Sequence, residues 1–339
     1  MRALRFHGPG DLRLDDVPRP VPGDGEVLVR VDACGVCGSD LHFLDGSART
    51  AYVPITLGHE IAGTVEASRH PAYSAGEQVL VLAGGACGSC GPCRSGRRNL
   101  CERMRVVGID FDGGLAEAVA VPGAMLIPRP AAVDAVAAAT AVDAGATARH
   151  AVLRRGGVGP GSAVLVIGAG GLGTYGLQIA RRAGATPTVV ADTDPEALDR
   201  ARALGADEVV AVEPGMSLGR TVKLLTDGGV DVALEFVGRA STVDAAVKSL
   251  RPGGTAVAVG VGTEPLATIP PVLWSNNEYT LTGSYGSLEG DAEAVLEGIG
   301  DGSLTPPPIE RVSLDDAAAV VSATAAGRRP SPGRIVVIP

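Results

Sequence analysis

The chain has 339 residues, 45% of them hydrophobic, so it is long enough for about two domains with sizeable cores. Its net charge of −9, with Lys and Arg dispersed, argues against a nucleic-acid partner. No apolar stretch reaches the ~18 residues of a membrane-spanning helix, so we expect no membrane partner. The first residues, MRALRFHGPGDLRL, contain no apolar core of signal-peptide length, so we expect a cytoplasmic location.

The first 140 residues have the pattern of a β-rich domain. EVLVRVDACGV, AGTVEA and EQVLVLAG are short β-branched runs separated by Gly and Pro, which is typical of strands joined by turns. The chain also ends in a strand, RIVVIP. We therefore expect the C-terminal tail to complete this first domain.

The pattern changes at about residue 145. Strands such as SAVLVI and TPTVVAD alternate with helices such as PEALDRARALGA. This alternation predicts a parallel, doubly wound sheet. The fold class is therefore α/β, with one domain formed by residues 1–144 and 285–339 and an inserted domain formed by residues 145–284.

Four cysteines follow the spacing C-x2-C-x2-C-x7-C: Cys87, Cys90, Cys93 and Cys101. Clustered thiolates of this kind can close around one tetrahedral Zn²⁺, which is the structural type of zinc site. An iron–sulfur cluster uses similar ligands, and disulfides would require an oxidising compartment. The spacing favours structural zinc among these alternatives.

A G-x-G-x-x-G motif, Gly168, Gly170 and Gly173 with Gly171 and Leu172 inside it, directly follows the strand AVLVI and begins a helix. In that context, glycines allow the backbone to turn sharply and approach a pyrophosphate, whose charge the helix N-terminus stabilises. The motif therefore predicts a dinucleotide site.

Asp192 ends the second strand of the inserted domain, and Thr193 and Asp194 follow it without a basic residue. A carboxylate at this place accepts hydrogen bonds from the adenine ribose and repels a 2′-phosphate, which favours NAD over NADP. Asp192 could instead cap the helix that begins at Pro195, or do both.

Cys37 and His59 lie elsewhere in the sequence, in the motifs CGSDLH and LGHE. A thiolate and an imidazole are plausible ligands of a second zinc. A catalytic zinc keeps three protein ligands and one open position. The pair therefore indicates a second metal site that lacks one ligand.

With these motifs, the chain resembles the zinc-dependent medium-chain alcohol dehydrogenases over essentially its whole length. The resemblance rests on CGSDLH (37–42), GHEIAGTVE (58–66), the four-cysteine run, DAGATA (143–148) and GAGGLG (168–173). It implies a GroES-like catalytic domain, a Rossmann NAD-binding domain and an active site in the cleft between them. It also implies a homotetramer or homodimer with a contact near YTLTGSY.

The resemblance implies Cys37 and His59 as ligands of a catalytic zinc, with Glu60 able to exchange onto the metal. Asp143 occupies the place where some relatives have a cysteine, so it is the expected third ligand. Its alternative role is that of a helix N-cap.

The family pattern also implies a proton relay through Ser39 and His42, and Asp40 as the acid that orients a ligating histidine. Arg334 matches an arginine that meets the cofactor pyrophosphate, and Gly38 replaces a basic residue that touches it in some relatives. The other residues implied are Val237, Val259, Gly260 and Val261 for the nicotinamide half and Tyr52 and Tyr285 for the substrate pocket.

The implied activity is reversible hydride transfer between a primary or secondary alcohol and NAD, with zinc stabilising the alkoxide. The closest rival is a polyol or amino-alcohol dehydrogenase of the same family, since fold-level likeness does not choose a substrate. A zinc-free quinone or enoyl reductase is a further alternative, although such enzymes lack the metal-ligand motifs. A nucleotide-binding or structural protein without turnover is the last alternative.

Overall fold

The computed structural model describes residues 1–266, 269–328 and 333–339. The chain divides into two compact units: the first comprises Met1–Ala144 and Leu288–Pro339, and the second comprises Gly145–Ser287. In the described ranges, every helix is too short or too polar to cross a membrane.

The part of the first unit before residue 145 is dominated by short strands, as its β-branched runs predict. The strands are β1 (Arg2–Gly8), β2 (Asp11–Asp16), β3 (Glu26–Gly35), β4 (Ile55–Thr56), β5 (Glu60–Ser68), β6 (Gln78–Val81), β7 (Gly84–Gly85), β8 (Arg105–Val106), β9 (Ala118–Pro122) and β10 (Leu126–Pro128). The helices are α1 (Gly38–Leu44), α2 (Gly91–Arg94) and α3 (Ala135–Thr140), with 3₁₀ turns at Arg98–Leu100 and Gly123–Met125.

The second unit alternates strands and helices. A helical run continues from the first unit into the second. It contains the π-helical segments Ala141–Gly145 and His150–Arg155, on either side of α4 (Ala146–Arg149). The remaining elements are β11 (Val164–Ile167), α5 (Gly171–Arg182), β12 (Thr188–Asp192), α6 (Pro195–Ala203), β13 (Glu208–Ala211), α7 (Leu218–Leu225), β14 (Val230–Glu235), α8 (Ala240–Lys248), β15 (Leu250–Ala258), α9 (Pro271–Asn277) and β16 (Thr280–Gly283).

The strands of the second unit form a parallel sheet in the order β13-β12-β11-β14-β15-β16. This is the strand order of a doubly wound dinucleotide-binding sheet, in which the chain reverses direction across the sheet between the first and fourth strands. The carboxyl ends of β11 and β14 lie side by side at that reversal. A ligand site is expected beyond them.

The C-terminal segment adds α10 (Asp291–Gly300), β17 (Ile309–Ser313), α11 (Leu314–Ala325) and β18 (Arg334–Ile338) to the first unit. β18 pairs antiparallel with β3, which also pairs with β5 and β9. Strand β3 is therefore central to the main sheet of this unit. Its inward side chains belong to a core that includes Val29, Ile61 and Val337.

Some helices have no clear sequence signal and were not predicted. The run from α3 to Arg155 is Ala-rich and mostly buried, so it lacks the polar face that marks an amphipathic helix. The helices α7 and α9 are only eight and seven residues long, too short for a periodic pattern.

Candidate functional site

Four side chains from three segments converge in the first unit: Cys37, His59, Glu60 and Asp143. One potential ligand atom of each lies within 4.8 Å of those of the other three. His59 and Glu60 are buried, whereas Cys37 and Asp143 are partly exposed. The accessible side of this cluster is therefore the side that Cys37 and Asp143 form.

The separations in this cluster suit a metal ion. Asp143 Oδ2 lies 3.5 Å from Cys37 Sγ and 3.8 Å from His59 Nε2. A tetrahedral zinc with bonds of ~2.0–2.3 Å holds its ligand atoms roughly 3.3–3.8 Å apart. The sulfur, nitrogen and oxygen donors fit a catalytic zinc, because such a site uses three protein ligands and leaves one position for a small molecule.

Asp40 orients this cluster from behind. Its fully buried carboxylate accepts the N–H of Cys37 at 2.8 Å through Oδ2, and Oδ1 lies 3.8 Å from His59 Nδ1. Burial lowers the pKa of His59, but Asp40 and the Cys37 sulfur outweigh it and raise that pKa well above its usual value. The negative charge beside Nδ1 leaves Nε2 as the nitrogen that faces the other ligands.

Glu60 is held by Arg334, although the two residues are 274 positions apart. The buried guanidinium donates a hydrogen bond to Glu60 Oε1. Burial raises the pKa of Glu60 to about 7, and the charge of Arg334 opposes that rise. Glu60 Oε2 has no hydrogen-bond partner among the described residues, so it is the oxygen available to a metal. The contact of Arg334 with a pyrophosphate stays a prediction, since its described partner is Glu60.

Asp143 lies inside the π-helical segment rather than at a helix start. The alternative role as N-cap is therefore wrong. The cap of α3 is Asp134, which accepts the N–H groups of Val136 and Ala137 at 2.9 and 3.2 Å. π-Helical turns are rare and frequent at functional sites.

The proposed relay residues lie on α1. Ser39 Oγ is 3.5 Å from His59 Nε2, so the hydroxyl lies at the edge of the cluster. One turn later, His42 Nδ1 is 3.1 Å from Ser47 Oγ and 3.4 Å from Asp45 Oδ2. No direct hydrogen bond joins Ser39 and His42 in the described structure, so the relay stays a prediction.

The four-cysteine run forms a second cluster, in which all four sulfurs lie within 4.8 Å of one another. The sulfurs of Cys87 and Cys93 are 4.0 Å apart, and those of Cys90 and Cys101 are 3.8 Å apart. These separations exclude disulfides, whose sulfurs lie ~2.05 Å apart, and all six cysteines are free. Four converging thiolates fit zinc with no open position.

Hydrogen-bond donors contact Cys87 and Cys101 of this cysteine cluster. Backbone N–H groups of Ser89 and Cys90 lower the pKa of Cys87 to about 5. Arg103 adds its guanidinium 3.4 Å from Cys87 Sγ, and its backbone N–H donates to Cys101 Sγ at 3.3 Å. Sequence reasoning missed Arg103, although the basic residues around the cysteines were a signal that could have found it.

The glycine motif has the geometry that a pyrophosphate requires. Gly168 has a φ of +89°, and a Cβ on Gly173 would lie 1.8 Å from the carbonyl oxygen of Gly168. By contrast, a Cβ on Gly170 would meet open space. Gly171 and Leu172 then begin the 12-residue helix α5, whose first N–H groups face away from its body. These residues fit a dinucleotide.

Asp192 ends β12 beside this motif. Its Oδ2 accepts the N–H of Ala169 at 2.6 Å, and its Oδ1 accepts the N–H of Asp194 at 2.9 Å. It does not cap α6, because Asp194 does so by accepting the N–H of Glu196 at 3.0 Å. Asp192 is therefore fixed at the turn, with partial exposure that leaves its carboxylate available to a ribose.

The remaining predicted residues lie on loops. Val237 follows β14, and Val259, Gly260 and Val261 follow β15. Tyr52 belongs to the first unit, Tyr285 belongs to the second, and both side chains are exposed. Their role in a substrate pocket stays a prediction.

Comparisons with known proteins identify the family of this chain. Residues 23–131 match the family model described as alcohol dehydrogenase GroES-like domain, and residues 171–300 match the one described as zinc-binding dehydrogenase. An NAD-dependent alcohol dehydrogenase of Sulfurisphaera tokodaii is 31% identical and covers 94% of each chain. A sorbitol dehydrogenase of Macaca fascicularis is 34% identical over 84% of this chain and 81% of that protein.

A solved structure from Sinorhizobium meliloti 1021, a zinc-binding dehydrogenase bound to NADP, is 32% identical. It matches with a TM-score of 0.89 and covers 100% of this chain and 99% of its own. The chain therefore belongs to the zinc-dependent medium-chain alcohol dehydrogenase family. The predicted family and fold class are confirmed, and so is an enzyme that uses zinc and NAD, at the level of the family.

The two metal clusters predict different responses to the loss of one ligand. Asp143→Asn should lower the zinc content from two ions per chain towards one with little change in melting temperature, because the partly exposed ligand is not part of a core. Cys93→Ser should also lose one zinc, but it should lower the melting temperature by roughly 5 °C or more, because a closed structural site contributes folding free energy. Metal analysis and thermal denaturation check both variants.

Each variant is the control for the other. A Cys93→Ser protein with the zinc content and melting temperature of the wild type would contradict the structural role of the cysteine cluster. Two bound zinc ions in Asp143→Asn would contradict the assignment of Asp143 as a ligand.

Proposed function

We propose that the protein is an NAD-dependent alcohol dehydrogenase that interconverts a primary or secondary alcohol and its aldehyde or ketone. The observation that carries this proposal is the convergence of Cys37, His59 and Asp143, three donors with an accessible side, in contrast to the closed cysteine cluster. A zinc ion held there supplies a Lewis acid that favours the ionised form of an alcohol.

The protein's own residues provide the remaining parts of this reaction. The first unit binds the alcohol beside Cys37 and Asp143, and the glycine motif of the second unit binds the cofactor that accepts the hydride. The hydroxyl of Ser39, at the edge of the cluster, would take the alcohol proton and give up its own towards His42 through a bridging hydroxyl or water. His42, whose side chain is one-third exposed, can then exchange a proton with solvent.

A polyol dehydrogenase is the second candidate, because the sorbitol dehydrogenase relative is as similar in sequence as the alcohol dehydrogenase relative. The zinc-free reductases are disfavoured, since both metal clusters are assembled in this chain.

A substrate panel tests the proposal. NADH formation with simple primary and secondary alcohols should exceed that with sorbitol, threonine and other polar substrates, and it should fall in proportion to zinc removed from the catalytic cluster. Restoring zinc should restore the rate. Preference for sorbitol would favour the second candidate, and full activity in metal-free protein would exclude the zinc mechanism.

Asp192 should select NAD over NADP. Asp192→Asn removes the charge that repels a 2′-phosphate and one acceptor for the ribose, so the ratio of kcat/KM for NAD to that for NADP should fall roughly tenfold or more. Steady-state kinetics with each cofactor measure the ratio. The matched control is Asp194→Asn, because it makes the same charge change two residues away and asparagine still caps α6.

An unchanged ratio in Asp192→Asn, or an equal change in Asp194→Asn, would contradict this assignment. The comparison matters because one similar solved structure is bound to NADP.

We also propose that the enzyme is a homo-oligomer with its contact at the edge strand β16. In the described sheet β16 pairs with β15 alone, and exposed Leu266, Val272 and Leu273 lie in the segment before it. A cavity of about 430 Å³ that includes Trp274 and Leu281 opens beside them. An open strand edge next to exposed apolar side chains favours self-association.

Val272→Asp combined with Leu273→Asp should reduce the mass measured by light scattering to that of a smaller species, because two charges would be buried at the contact. Leu224→Asp is the control, since Leu224 is 79% exposed on another helix of the same unit. An unchanged mass in the double variant would place the contact elsewhere.

A further inference from the structure

Glu235 is a buried carboxylate that neither metal cluster uses. It ends β14, whose other residues are apolar apart from the partly exposed Asp231, and its side chain has no exposed surface. In the described structure it makes no ion pair, and its Oε2 has no hydrogen-bond partner. Burying a charge without a counter-charge costs stability, so a neutral side chain would serve the core better. The carboxylate therefore requires a reason other than stability.

That reason lies in the loop that follows β14. Glu235 Oε1 accepts the N–H of Val237 at 2.7 Å, the N–H of Gly238 at 2.8 Å and the hydroxyl of Thr242 at 2.8 Å. Three donors that point at one oxygen form stronger hydrogen bonds with a carboxylate than with a neutral acceptor. The side chain of Glu235 therefore fixes the turn from β14 to α8.

The main chain of the same residue fixes a second loop. The carbonyl oxygen of Glu235 accepts the N–H groups of Val259 and Gly260 at 2.9 and 3.1 Å, just beyond β15. The two loops then cross in direct backbone contact, since a Cβ on Gly260 would lie 2.1 Å from the nitrogen of Gly238. One residue thus determines the positions of both loops.

These loops adjoin the glycine motif. A Cβ on Gly168 would lie 2.8 Å from Cγ2 of Val237, and the N–H of Phe236 donates to the carbonyl of Ile167 at 3.0 Å. Val237 and Val261 are 41% and 69% exposed at the carboxyl edge of the sheet, where a ligand of such a sheet binds. The exposed surface next to the pyrophosphate turn is therefore built on Glu235.

We propose that Glu235 is a positioning residue for the nicotinamide half of the cofactor: its three accepted hydrogen bonds hold the Val237–Gly238 turn against the Val259–Gly260 turn. The proposal rests on the proposed NAD-dependent function. It places no role on Glu235 for the adenine half, which the glycine motif and Asp192 hold. Loss of the carboxylate should therefore weaken binding of the nicotinamide half and leave binding of the adenine half unchanged.

The test compares NADH with AMP as probes of the intact protein. Glu235→Gln keeps the shape but removes the charge, so the Kd for NADH, measured by its fluorescence, should rise roughly tenfold. The Kd for AMP, measured by calorimetry, should stay within twofold of the wild-type value. The control is Asp244→Asn, whose carboxylate pairs with Lys248 on α8 at 2.6 Å and which should change neither Kd.

Thr242 provides a second pair of variants that keeps the proposal testable if Glu235→Gln does not fold. Thr242→Val removes one of the three donors and should weaken NADH binding in the same direction by a smaller factor, whereas Thr242→Ser should restore it. An unchanged Kd for NADH in these variants, or an equal loss for NADH and AMP, would overturn the positioning role. A wild-type protein that binds no NADH would instead refute the proposed function.

Discussion

The cluster of Cys37, His59, Glu60 and Asp143 is the candidate catalytic cluster, and it depends on the pairing of β3 with its neighbours. Gly35, at the end of β3, lies opposite Glu60 of β5 and Val336 of β18. A Cβ at position 35 would lie 2.1 Å from Glu60 Oε2, so only glycine leaves space for that carboxylate. Since a shift of one residue in register would turn Glu60 to the other face of the sheet, the register and the glycine together fix its position.

The two metal clusters differ in how they could be predicted. The cysteine cluster is local, since its four cysteines lie within one short run and the spacing alone favours a closed zinc site. The catalytic cluster joins Cys37, His59 and Asp143 across more than 100 residues. Its prediction depended on family resemblance, and excluding the N-cap role of Asp143 needed the observed helix, because a carboxylate suits both roles in sequence.

The same distinction applies to the fold. The strands and most helices of the second unit follow from alternating apolar runs and glycine turns, because each pattern is complete within a few residues. The helical run from Ala135 to Arg155 is buried on most sides and has no such pattern. The ion pair between Glu60 and Arg334 is likewise invisible to local rules, because strand order alone brings β5 and β18 together on β3.

Three buried carboxylates show how the protein places charge near its sites. The charge of Glu60 is compensated by the guanidinium of Arg334. The described partners of Asp40 include the N–H of Cys37. Glu235 accepts hydrogen bonds from two N–H groups and a hydroxyl. Each retains one oxygen without a described hydrogen bond. Buried carboxylates with an oxygen left without a hydrogen bond cost stability, and proteins concentrate features of this kind at functional sites. In this chain Glu60 belongs to the metal cluster, Asp40 lies beside it and Glu235 borders the glycine turn, so these oxygens lie at or next to the two candidate ligand sites.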